Sequence, residues 1–116
     1  MQFDERLAGD VVILKIGGDI TLNHGGDEML KDKVRSLIQQ GRRKIVLDLG
    51  GVSYVDSAGL GELVQAHVST KTKGGSLKLA GLPKRIKDLL TITRLVTVFE
   101  CYDREADAVE SFSATV

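Results

Sequence analysis

The chain has 116 residues, 42% of them hydrophobic and 28% charged, which suits one soluble domain with a core and argues against wholesale disorder. Sixteen basic and sixteen acidic side chains cancel, so the basic excess of a nucleic-acid binder is missing, and with no tryptophan base stacking is poorly served. Cys101 is the only cysteine, which excludes an intramolecular disulfide and a cysteine metal cluster and fits a reducing cytoplasm; the mixed polar start is not a secretory signal, and no stretch approaches the ~20 apolar residues that span a bilayer.

Residues 2–7 read as a weak strand and residues 11–16 as a stronger one, apolar except for Lys15 and ended by Gly17-Gly18. From Asp27 the period changes: Leu30, Val34, Leu37 and Ile38 share a helical stripe, with Lys31, Asp32, Lys33 and Arg35 opposite. Gly41 closes that helix. Residues 45–49 read as a central strand. A loop over residues 56–61 follows, and Leu60, Leu63, Val64 and Val68 mark a second helix ending near Lys73-Gly74-Gly75. Residues 77–80 form a strand, and Pro83 stands where a helix should begin, with Ile86, Leu89 and Leu90 as its stripe. Residues 96–101 read as another strand. Asp103 looks like the N-cap of a last helix whose Ala106, Val109 and Phe112 share a face; residues 113–116 are expected to fray.

The order β-β-α-β-α-β-α-β-α predicts one α/β domain over residues 1–116. Its sheet should be mixed and mostly parallel, with four to five strands packed by about four helices. Only the first strand, with no helix before its successor, is free to pair antiparallel at an edge.

The segment Asp56-Ser57-Ala58-Gly59-Leu60-Gly61 carries the chemistry. Ser57 can be read as a plain N-cap, or as a hydroxyl presented at a helix start for modification. Gly59 and Gly61 should each cost roughly 0.5–1 kcal/mol relative to Ala in a helix. They fit either tight packing on a neighbouring strand or the close approach of a partner, for which Leu60 would point outward. A nucleophile elbow is absent, because Val55 stands where Gly-x-Ser-x-Gly needs glycine. His24 and His67 supply no evident triad. Val64 occupies the third position of a dinucleotide fingerprint, and no Gly-Lys-Ser/Thr occurs. No ligand spacing for a metal is present, and no cofactor is expected. Asp48 and Asp56 could be a pair of acids, or Asp56 could brace the loop by accepting backbone N–H groups. Lys84, Arg85 and Lys87 read as a solvated helix face.

Residues 45–49, Ile-Val-Leu-Asp-Leu, followed by Val52-Ser-Tyr-Val-Asp-Ser-Ala-Gly-Leu-Gly61, resemble the signature of the STAS domain, the family of anti-sigma factor antagonists. The resemblance extends to Gly18-Asp19-Ile20, expected as a turn, to Leu79-Ala80-Gly81-Leu82-Pro83 and to the Phe99 region. It implies a non-enzymatic, cytoplasmic regulatory binding protein in which Ser57 accepts phosphate from its partner, an anti-sigma factor that is itself a serine kinase. The unphosphorylated form would bind that partner and free a sigma factor; a phosphatase would reset the switch. Partner contacts would come from residues 56–61 together with Thr21 and Asn23. Thr21 replaces an acid common at this place in relatives, and residues 22–26 are unusually rich in glycine. The resemblance also leaves open a scaffold or accessory role in a stress-sensing assembly or a lipid- or anion-transport complex.

Overall fold

The computed structural model describes residues 2–21 and 26–113. Its elements are β1 (Gln2–Ala8), β2 (Val11–Ile20), α1 (Gly26–Gln39), β3 (Lys44–Val55), α2 (Ser57–Thr72), β4 (Ser76–Ala80), α3 (Lys84–Ile92), a 3₁₀ turn (Leu95–Thr97), β5 (Glu100–Tyr102) and α4 (Glu105–Ser113). The five strands form one sheet in sequence order. β1 lies antiparallel to β2 at the edge, and every other pairing is parallel.

Side chains alternate across the sheet. Val12, Leu14 and Ile16 of β2 join Leu47 and Leu49 of β3 in the main core, which takes Leu30, Val34 and Leu37 from α1, Leu63 from α2, and Ile86 and Leu90 from α3. Val11, Ile13 and Val46 face the other way and meet Ala108 and Phe112 of α4. Three helices therefore cover one face and α4 covers part of the other. Gly41, at φ 90°, lets the chain leave α1 as expected; Arg42 N–H donates to Leu37 C=O at 3.0 Å and satisfies one of the helix-end carbonyls.

Several local expectations are corrected. Gly17-Gly18 does not end β2, and residues 18–20 are not a turn; both central strands run on through their glycines. Gly17 pairs with Gly51, and a Cβ on Gly51 would come within 3.0 Å of the Ile16 carbonyl oxygen. These glycines let two bulged backbones approach closely rather than terminate strands. Residues 96–98 are not strand. Arg94 adopts a left-handed conformation (φ 63°), and Val98 N–H donates to Leu95 C=O at 2.9 Å, so the chain curls before β5. In α4 the helix starts at Glu105, not after an Asp103 cap; the Asp103 carboxylate instead lies 3.8 Å from Lys87 Nζ. Ala108, not Ala106, shares the buried face with Phe112. Ser113 closes α4, and residues 114–116 lie outside the described residues.

Candidate functional site

β3 delivers the site. Val55 is its last buried residue, and the chain turns into α2 at Asp56, whose backbone stays extended (φ −90°, ψ −177°). Asp56 Oδ1 accepts from Gly59 N–H at 2.8 Å, and Asp56 C=O accepts from Leu60 N–H at 2.8 Å. Asp56 is therefore the N-cap, and the reading of Ser57 as the cap is corrected: Ser57 is already helical, so its hydroxyl is not needed to start the helix. It is exposed. Asp56→Ala should cost about 1 kcal/mol in a denaturant titration, whereas Ser57→Ala should stay within ~0.5 kcal/mol.

The two glycines have different reasons. A Cβ on Gly59 would overlap the Ile20 carbonyl oxygen and lie 2.8 Å from its carbon and 2.9 Å from Ile20 Cγ2. Gly59 is thus dictated by packing of α2 on the end of β2. Gly61 is exposed and a Cβ there would meet nothing within 4 Å. Gly61→Ala should raise stability by roughly 0.5–1 kcal/mol in the same titration, since no packing within the domain requires glycine there. Leu60 does not point outward as expected; it is partly buried against the main core.

The extension of β2 also brings its end to the site. Asp56 N–H donates to Ile20 C=O at 3.3 Å, so Thr21 stands beside the Ser57 loop. The Thr21 side chain is 6% exposed. Asn23 and His24 lie outside the described residues. Of the remaining candidates, Ala58 is partly buried and Asp56 half-buried. Ile20 and Tyr54 escaped the sequence reading. Ile20 acts through a backbone carbonyl, which no side-chain pattern signals. Tyr54, 51% exposed and two residues before Asp56, lies with Ser53 between buried Val52 and Val55, where strict strand alternation is broken and gives no signal.

Among the described residues the enzymatic alternatives do not assemble. Asp48 lies within β3, eight residues before Asp56, which follows the end of that strand, so the two are on the order of 20 Å apart. Its Oδ1 accepts from Gly50 N–H at 2.8 Å. His67 is ten residues along α2 from Ser57, about 15 Å by helical rise. It packs edge-on against Phe99 with centroids 5.3 Å apart. Cys101 is half-buried, and burial pushes its thiol above the ordinary range. Lys84, Arg85 and Lys87 are exposed on α3, as expected of a solvated face. Among the described residues no His, Cys, Asp and Glu cluster could hold a metal, and no helix is long and apolar enough to cross a membrane.

The structure thus presents an exposed serine on the first turn of a capped helix, braced by the end of a neighbouring parallel strand. The chain belongs to the STAS domain family: the family model matches residues 3–108. It is 34% identical over 98 residues to the anti-sigma-B factor antagonist of Bacillus subtilis, a match that covers 79% of this chain and 89% of that protein. A crystal structure of a Thermotoga maritima protein classed as an anti-sigma factor antagonist superposes with a TM-score of 0.86 at 27% identity, covering 94% of this chain and 92% of that one. The Bacillus cell fate determinant SpoIIAA, solved in its phosphorylated form, shares the fold with a TM-score of 0.73 at 18% identity, covering 96% of this chain and 99% of the other. These relatives are regulatory binding proteins and not enzymes.

Proposed function

We propose that this chain is a cytoplasmic anti-sigma factor antagonist whose binding is switched by phosphorylation of Ser57. In this reading the unphosphorylated surface around Ser57 and Gly61 docks on an anti-sigma factor with serine kinase activity, and so releases a sigma factor for transcription. The kinase then transfers phosphate to Ser57 and the complex falls apart; a phosphatase restores the hydroxyl.

The observation that carries this is the exposure of Ser57 at a helix start whose structural tasks fall to other residues. Asp56 caps the helix and Gly59 makes the contact with β2. The serine is left with no structural duty that alanine could not perform. The similarity to an anti-sigma-B factor antagonist over most of the chain supports the partner class.

The test is to incubate the full chain with ATP and the serine-kinase anti-sigma factors of its source organism and to map the product by mass spectrometry. Stoichiometric phosphate on Ser57, lost in Ser57→Ala, is expected. Stable association with a transport or stress-sensing complex and no phosphate on Ser57 would assign the accessory role instead.

A further inference from the structure

α2 was expected to bury Val68 with Leu63 and Val64, yet Val68 is 48% exposed. The buried positions of this helix are Gly59, Leu63, Ala66 and Thr70. Val68 instead forms one wall of a groove between α1 and α2, of about 400 Å³, whose exposed apolar surface is that of Val68 and the half-buried Ile38, with the buried Val34 and Ala66 at its floor. Lys31 and Arg35 rim it from α1 and Lys73 from the cap just past α2; among the described residues no carboxylate lines it.

The described residues leave this charge unpaired. None of the ion pairs among the described residues uses Lys31, Arg35 or Lys73. The helix dipole favours Lys73 at the C-cap of α2 but does not account for Lys31 and Arg35, since the last turn of α1 holds no basic residue and both sit further back. A chain of net charge zero thus concentrates cations, unpaired among the described residues, around an apolar trough.

We propose that this groove docks an acidic amphipathic helix of a protein partner. The walls run over residues 31–39 and 65–73, about 12 Å at 1.5 Å per residue, which is two turns of an incoming helix. Lys31 and Arg35 are one turn apart and match carboxylates at i and i+4 of that helix. Its aliphatic residues at i, i+3 and i+7 would fill the trough, the usual helix-in-groove arrangement. The groove takes only the C-terminal half of α2, from Gln65 onward, so it begins about 12 Å along the axis from Ser57. Docking here leaves the Ser57 surface free and is independent of its phosphorylation.

The probe is a synthetic helical peptide with a leucine seam flanked by glutamates, titrated into the full chain and followed by amide NMR shifts and fluorescence anisotropy. Saturable shifts at Ile38, Ala66, Val68 and Ser69 are expected. Affinity should fall at least tenfold in Lys31→Glu/Arg35→Glu, fall likewise in Val68→Asp, weaken with salt, and be unchanged in Ser57→Asp. The proposal is overturned if no saturable shift appears. It is equally overturned if the shifts centre on Ser57 or α3, if the peptide with lysines in place of glutamates binds as well, or if decanoate alone perturbs the groove and the peptide does not. A groove that binds while Ser57 is never phosphorylated would leave this inference standing and remove the switch.

Discussion

Gly59→Ala is expected to destabilise the domain by roughly 2–3 kcal/mol, a penalty of the overpacking kind, read as a lower midpoint in a denaturant titration. Alanine would gain up to about 1 kcal/mol of helix propensity, but the added methyl overlaps the Ile20 carbonyl oxygen. What it meets is backbone, not the tip of a flexible side chain, so relief requires α2 to move off β2. That displacement would also strain the Asp56 N–H to Ile20 C=O bond and carry Ser57 with it. Gly59→Ala should therefore weaken partner binding as well as stability, whereas Gly61→Ala, two residues on, is expected to stabilise the fold. Equal effects at the two glycines would refute the assignment of a packing role to Gly59 alone.

The difference between those glycines marks the limit of what the sequence reveals. Spacing showed the order of elements, the antiparallel edge strand and the end of α1 at Gly41, because each is a local signal. A glycine pair, however, reads alike whether it breaks a strand or lets two strands approach. Only the pairing of Gly17 with Gly51 decides, and that is a contact over more than thirty positions. Residues 96–98 carry branched side chains that favour strand, but the left-handed Arg94 and the turn after it override them. The helix faces were read slightly out of phase at Val68 and Ala106, since Ala66 and Ala108 are small residues that fit where helices lie close to the sheet. The serine loop was recognisable as a motif, yet Asp56 and Ser57 are both good caps on paper, and only the extended backbone of Asp56 separates them.

The second large effect concerns charge at Ser57. A phosphoserine adds about −1.5 to −2 charges next to the Asp56 carboxylate. In the free protein Ser57 is exposed, and two like charges ~4 Å apart in water repel by only ~1 kcal/mol. Covering the site with a partner lowers the effective dielectric towards ~20 and raises the same repulsion to ~4 kcal/mol. The increase of ~3 kcal/mol falls on the complex alone and corresponds to about a hundredfold loss of affinity. The start of α2 favours an anion by a typical 0.3–1 kcal/mol, too little to reverse the outcome. No rearrangement of the fold is needed: the change is local to a helix start that Asp56 holds in place.

The direct measurement is a calorimetric titration of the cognate anti-sigma factor with the wild-type chain, Ser57→Ala and Ser57→Asp. Affinities that agree within a few-fold for the first two, with the third weaker by about two orders of magnitude, are the predicted result. Indistinguishable affinities for the alanine and aspartate variants would contradict the account.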